Sequence, residues 1–229
     1  MNSSQELQSI LLRDPKWKAF LECKKCPSFA TTKRLCKFRP IPPFPQTQPP
    51  SQTGRLMILA DRPLEPDFNT ALPFSGSIGA VVHNALRAAN INPSAVYFSL
   101  VAKCGDRDNP GRKPSEAELT TCRYEWLLPE IAEYDPDTII VLGQRTHEAV
   151  VRPIAPARSF VNGQVLIAPR KDPSLPKRIV VAMFHPSYYS YSNRNFDEFT
   201  HAMRDVVERV NHLRVSGRVN PSKPSTPTS

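Results

Sequence analysis

The chain has 229 residues, and its 30 Lys and Arg against 21 Asp and Glu give a formal net charge of +9. That length suits one domain with a full hydrophobic core. No run of 18 apolar residues is present to cross a membrane, and the N-terminus MNSSQELQSILLRDPKWK has neither the charged nor the apolar region of a signal peptide.

Residues 5–22 place Leu7, Ile10, Leu11, Trp17, Phe20 and Leu21 at roughly helical spacing, interrupted by Pro15, and are expected to form a packed arm. Cys23 and Cys26 follow as a C-x-x-C. From Cys23 to Ala60 there is no acidic residue, while Lys24, Lys25, Lys33, Arg34, Lys37, Arg39 and Arg55 all fall there. A patch of this kind suits binding to a polyanion by counterion release. Residues 39–53 then contain six prolines, which favour a stiff, extended connector.

From Arg55 the pattern becomes apolar runs alternating with amphipathic stretches. LMILA (56–60), VYFSLVAKC (96–104), TIIVLG (138–143), VLIAP (165–169) and IVVAMFH (179–185) read as buried strands. Helices are expected at 77–90, 115–133, 144–151 and 196–214, the third and fourth of these separated by two of the strands. Ser115 with Glu118, and Asn195 with Glu198, have the spacing of capping boxes. The last helix is expected to bury Phe196, Phe199, Met203, Val206, Val207, Val210 and Leu213 on one stripe. These alternations predict a single α/β domain with a mostly parallel central sheet flanked by helices on both faces. The expected division is an N-terminal arm and connector over 1–53, the α/β domain over 54–216, and a disordered tail over 217–229.

In a cytoplasmic protein thiols stay reduced, so Cys23, Cys26, Cys104 and Cys122 read as metal ligands before they read as disulfides, with Cys36 left over. A tetrahedral zinc site usually pairs two C-x-x-C knuckles, whereas an iron-sulfur cubane takes thiolates from scattered points because the cluster is itself the template. Spacing leaves both open. The other notable groups fall at predicted strand ends: Asp61, Lys103 with Cys104, Gly143 and His185. Such a gathering is expected where the carboxyl ends of parallel strands form a ligand crevice. Tyr188, Tyr189 and Tyr191, beside Asn193 and Arg194, suit stacking on bases and gripping phosphate. No G-x-G-x-x-G supports a flavin or nicotinamide redox protein, and no G-x-S-x-G supports a serine hydrolase.

The order of these residues resembles the iron-sulfur-containing, family-four type of the uracil-DNA glycosylase superfamily. That family shows C-x-x-C, G-E-x-P-G, R-P-F-x-G, N-x-x-K-C, E-x-x-x-C-R, a strand ending in L-G, and H-P-S. The chain has Cys23/Cys26, Ala60-Asp61-Arg62-Pro63-Leu64, Leu72-Pro73-Phe74-Ser75-Gly76, Leu100-Val101-Ala102-Lys103-Cys104, Glu118 to Cys122-Arg123, Leu142-Gly143 and His185-Pro186-Ser187. The resemblance implies a 4Fe-4S cluster on Cys23, Cys26, Cys104 and Cys122. It also implies DNA as partner, a monomer, and a nucleoid-associated protein of bacterial or phage type, while the lack of a signal peptide and of a redox fingerprint leads to the expectation of a cytoplasmic protein with no small-molecule redox cofactor. The reaction it implies is hydrolysis of an N-glycosidic bond after the base is flipped from the duplex. Asp61 would stabilise the sugar, His185 would donate to the departing base, and Phe74 would stack on it. Ser187, Tyr188 and Arg194 would hold the DNA.

Departures from the family bear on substrate. Asp61 stands where the family has Glu, Ala60 and Leu64 replace two loop glycines, and Leu100 replaces the Asn that reads uracil. Asn109 aligns with a second Asn and precedes a two-residue extension, and Asp67 is a spare carboxylate in the same loop. A base other than uracil, such as a bulkier modified cytosine in phage DNA, is therefore one expectation, with a role in repair or anti-phage defence. The alternative is a catalytically inactive DNA-binding or replication-associated module that keeps fold and cluster.

Overall fold

The computed structural model describes residues 15–27, 30, 32–33, 35–38, 40–41, 54–151, 159–168, 177–191 and 195–216. The expected tail over 217–229 and most of the proline-rich connector lie outside the described residues, as does the part of the arm before Pro15. Among the described residues no helix is long and apolar enough to cross a membrane.

The central sheet is built on β2 (Leu56–Ala60), β3 (Val96–Leu100), β5 (Thr138–Leu142), β6 (Val165–Ala168) and β7 (Arg178–Met183), in the order β3-β2-β5-β7-β6. β2 runs parallel to β3 and β5, and β5 parallel to β7, whereas β6 is antiparallel on the edge. Every residue of β2, β3 and β5 is buried, which is why those segments read as mainly apolar runs, with Ser99 and Thr138 as the buried polar exceptions. β6 departs from the expectation of a buried strand: as an edge strand it leaves Ile167 exposed. The chain steps from β2 to β3 on one side, then returns past β2 to β5. This reversal opens a crevice at the carboxyl ends of β2 and β5.

Side chains alternate across the pleat and feed two cores. Leu56, Ile58, Ile140 and Val181 face α2 (Ser77–Ala88) and α7 (Phe196–Val215). Met57, Leu59, Val141 and Val180 face α3 (Glu116–Cys122), α4 (Leu128–Tyr134) and α5 (Gln144–Val151). α7 buries Phe199, Met203, Val206, Val207 and Val210, but Phe196 in its first turn is 39% exposed and Leu213 only half-buried, so the expected stripe is shorter at both ends.

Caps follow the sequence closely. Ser115 Oγ accepts from the Glu118 N–H at 3.2 Å, and Glu118 Oε2 accepts from the Ser115 N–H at 2.6 Å. Asn195 Oδ1 accepts from the N–H groups of Asp197 and Glu198. The helix expected over 115–133 is α3 and α4 joined by a π turn, Arg123–Leu127. Pro129 has no N–H to donate, and its ring would crowd the carbonyl four residues back, so the turn before it widens.

Two further elements add to those expected. β1 (Leu35–Lys37) pairs antiparallel with β4 (Cys104–Asp106), and α6 (Pro186–Tyr191) follows β7. The strand expected to run to Cys104 stops at Leu100, because Lys103 turns its side chain into the interior toward Glu130. The arm's described helix, α1 (Pro15–Leu21), sets Phe20 edge-on to Trp126 of the π turn, with centroids 5.1 Å apart.

α2 begins close against the loop before it. A Cβ on Gly79 would stand 1.8 Å from the Phe74 carbonyl oxygen, so only glycine lets the helix approach the loop this closely. Gly79→Ala is expected to cost about 1–3 kcal/mol as the loop is pushed away, lowering the melting temperature by on the order of 5 °C. An unchanged thermal melt would show that the loop yields freely.

Candidate active site

Asp61 is the first residue after β2, and the loop from Arg62 to Gly76 lies over the crevice. Asp67, expected as a spare carboxylate, is instead buried and clamps this loop. Its Oδ2 accepts from the Leu64 N–H at 3.0 Å, and its Oδ1 from the N–H groups of Ser75 at 2.9 Å and Gly76 at 3.0 Å. The clamp draws the two arms of the loop together and holds Phe74 at φ +57°, a left-handed conformation that costs a bulky residue energy unless its surroundings impose it. Phe74 is thereby buried against Phe98, at 5.3 Å between centroids.

His185 lies two residues beyond β7. Gly143, at φ +90°, donates to the Met183 carbonyl at 2.7 Å, and a Cβ there would stand 3.4 Å from His185 Cβ, so β5 and β7 end in close approach. The Ser187 N–H donates to His185 Nδ1 at 3.2 Å, and the Ser187 hydroxyl lies 2.7 Å from the same nitrogen. An Nδ1 that accepts carries no proton, which leaves the proton of the neutral ring on Nε2. Burial, helped by the Arg62 charge, pushes the ring's pKa down to about 4, so it is neutral at physiological pH.

Asp61 Oδ2 lies 4.0 Å from Arg62 Nε and 3.9 Å from Arg145 Nη1. Burial raises its pKa above the ordinary carboxylate value, and the two guanidinium groups oppose that rise. Arg145 is itself held by the Pro114 carbonyl and by Glu116 at 3.5 Å.

Two cavities meet here. An open cleft of about 190 Å³ is lined by Asp61, Arg62, Lys113, Gly143, Gln144, Arg145, His185 and Ser187. A narrow pocket of about 10 Å³, room for about one water, is lined by Ala60, Arg62, Leu64, Asp67, Phe74, Ile78, Gly79, Leu100 and His185. The structure thus brings Asp61, Phe74, Leu100, His185 and Ser187 to one place. Tyr188 stands nearby, 38% exposed and stacked on Phe184 at 4.3 Å. Asn109 is not brought in: it sits on an exposed turn, its N–H donating to Asp106 and its carbonyl accepting from Arg112, and it lines neither cavity. Arg194 lies outside the described residues. Sequence reasoning missed Arg62, Lys113, Gln144 and Arg145. Their signals were position alone, directly after Asp61, four residues after Asn109, and directly after Leu142-Gly143.

The thiols form a second gathering. Cys23 and Cys26 follow α1, Cys104 opens β4 and Cys122 closes α3. Burial raises the pKa of Cys104, and the neighbouring Cys122, Cys26 and Cys23 raise it further while Lys37 opposes. Cys122 is raised likewise by burial and by Cys26 and Cys23. The four thiols therefore lie within one another's electrostatic reach, although among the described residues no group of three or more His, Cys, Asp or Glu is gathered to hold a metal ion. The Trp126 indole N–H points to Cys23 Sγ at 3.4 Å, and Lys37 Nζ donates to the Cys23 carbonyl at 2.8 Å. Cys36 stands apart, buried on β1 with Arg107 Nη2 at 3.5 Å.

Between the two gatherings runs a buried ion pair. Lys103 Nζ contacts Glu130 Oε2 and also donates to Ser99 Oγ at 2.6 Å and the Leu100 carbonyl at 3.1 Å. It fixes the end of β3, where Leu100 walls the pocket, to the start of β4, where Cys104 lies.

A carboxylate, a neutral imidazole and several cations gather at the switch point of a mostly parallel sheet, an arrangement suited to an α/β enzyme that handles an anionic substrate. The family profile described as the uracil DNA glycosylase superfamily matches residues 47–207. The type-4 uracil-DNA glycosylase of Thermotoga maritima is 31% identical over 168 residues, covering 71% of this chain and 80% of that protein. The chain belongs to the uracil-DNA glycosylase superfamily, and it is a DNA glycosylase.

Proposed function

We propose that the chain flips a base out of DNA toward the pocket beneath Phe74 and hydrolyses its N-glycosidic bond, with Asp61 and His185 as the groups that act on the reacting atoms. Extrusion costs a few kcal/mol of stacking and pairing. Lys113 and Arg145 at the cleft, with Tyr188 beside it, offset that cost by gripping phosphate and filling the gap. As the bond lengthens, positive charge grows on the sugar and negative charge on the base. Asp61 faces the first and orients the attacking water. The Nε2–H of His185 donates to a carbonyl oxygen of the second. The observation that carries this reading is the Ser187 N–H donating to His185 Nδ1, which leaves a neutral imidazole with its proton on the other nitrogen.

Leu100 offers no polar group to read the base edge, so the uracil-reading contact that the family's Asn would make is missing and bases beside uracil come within range. The inner pocket, at about 10 Å³, must open to admit any base. Phe74 supplies the stacking ring.

We further infer a 4Fe-4S cluster held by Cys23, Cys26, Cys104 and Cys122. The donor set is four thiols, two of them raised by burial and by the neighbouring thiols, and a cluster that is its own template accepts thiolates from such scattered positions. Bound there, the cluster supplies a rigid cross-link and a charge that keeps the thiols deprotonated.

The test is a base-release assay on oligonucleotides carrying uracil, other deaminated bases and modified cytosines, run beside iron and sulfide analysis of anaerobically purified protein. Release of at least one base, from brown protein containing iron and sulfide, is the expected result. Tight DNA binding without release of any base would overturn the assignment of the cleft. A colourless, iron-free preparation would overturn the cluster.

A further inference from the structure

Arg62, Leu64 and His185 line both the open cleft and the narrow pocket, and Arg62 is the cation among them. It also stands beside Asp61 and acts electrostatically on His185. Its side chain is 18% exposed, and its ion-pair partner among the described residues is Asp61, through Nε at 4.0 Å, beyond hydrogen-bond distance. The guanidinium therefore brings hydrogen-bond donors to the pocket that no described acceptor uses.

The other side chains around the pocket narrow what those donors can meet. Ala60, Leu64, Phe74, Ile78 and Leu100 are apolar. Both carboxylate oxygens of Asp67 already take backbone N–H groups. His185 presents a donor, because its Nδ1 is engaged by Ser187. The free polar side-chain chemistry facing a base is thus one imidazole N–H and one guanidinium.

We propose that Arg62 stabilises the departing base and determines specificity, favouring bases that leave with negative charge on carbonyl oxygens over bases with an exocyclic amino group. The inference rests on the assignment of this cleft to base excision. In the step concerned, the C1′–N bond breaks with both electrons going to the ring nitrogen, and the charge spreads to the carbonyl oxygens. Water oxygen bonds to C1′, its proton passes by way of the Asp61 carboxylate to solvent, and the released base anion takes a proton from solvent. A guanidinium beside those oxygens would meet the transition-state charge with donors that no described acceptor already occupies. An exocyclic amino group would point its own N–H donors at the same cation and leave them unpaired, which a dry site penalises steeply.

The test compares wild type, Arg62→Gln and Arg62→Lys in single-turnover release of uracil and 5-fluorouracil from matched oligonucleotides, with hypoxanthine, xanthine, cytosine and adenine completing the panel. DNA affinity is measured in parallel, and His185 is titrated by NMR. Arg62→Gln is expected to slow uracil release by about 10²-fold. It should slow 5-fluorouracil less, since fluorine makes that base a better anionic leaving group, and should shift DNA affinity far less than rate. Arg62→Lys keeps the charge and should fall between, and the His185 pKa should rise when the cation is removed. Equal losses on uracil and 5-fluorouracil, or a loss confined to DNA affinity, would overturn the proposal while leaving the glycosylase site standing. A wild type that releases no base from any oligonucleotide would overturn both.

Discussion

Replacing Asp61 with Asn is expected to slow single-turnover base release by about 10²–10⁴-fold, with DNA affinity nearly unchanged. The amide keeps the shape and the backbone contacts but removes the charge that, in the proposed mechanism, faces the developing sugar cation. The same change should leave stability equal or improved, and the sign follows from burial. A carboxyl whose pKa is raised in the folded state holds its proton more tightly there than in the unfolded chain. Its ionisation therefore subtracts stability as pH rises from the ordinary value of 3.8 through the raised one. His185 has the opposite linkage: with a folded pKa near 4 against 6.5 unfolded, it contributes stability above 6.5 that is lost as pH falls toward 4. Rate against pH should show an acid limb as Asp61 protonates and no loss near neutrality from protonation of His185. Thermal melts and single-turnover rates across pH check both. An Asp61→Asn variant as active as wild type would remove the carboxylate from the mechanism.

Replacing Lys103 with Met should cost about 3–5 kcal/mol, because both ends of the Lys103–Glu130 pair are 1% exposed and the survivor would be a buried, unpaired carboxylate. At this chain length that is a fall in melting temperature of about 10 °C. Adding Glu130→Leu should recover most of the loss, since a well-packed apolar pair can match a buried ionic one. Ser99 and Leu100 lose a donor in both variants, so any fall in base-release rate that persists in the stabilised double variant measures how far the pair positions the pocket wall. A single variant with an unchanged melt would show that the pair contributes nothing to the fold.

Much of the frame was legible in the chain. Short apolar runs at 56–60 and 139–142, rich in Ile and Val at the second and set between turn signals, read as strands buried on both faces, and Ser115 with Glu118 announced a helix start that formed as a capping box. What escaped were features fixed by partners far along the chain. β3 ends early because Lys103 finds Glu130, 27 residues away, and no local pattern encodes that. Leu35–Lys37 became a strand because Cys104–Asp106 offered an edge, within a stretch read as cysteine arm and connector. Asp61 and His185 could be placed at strand ends from sequence. The use of Asp67 as a clamp and of Arg62 and Arg145 as flanking cations depends on how the loops fold back, which periodicity does not carry.

The pairing of β1 with β4 has a mechanical corollary. Phe38, just past β1, lies edge-on to Phe68 at 4.9 Å, and Phe68 is the neighbour of the loop clamp Asp67. Gly105 of β4 leaves room for that same ring, since a Cβ there would stand 2.5 Å from Phe68 Cζ. The cysteine-bearing segment and the loop over the cleft are thus joined through a single aromatic ring, so that a change of side chain at Phe68 reaches both.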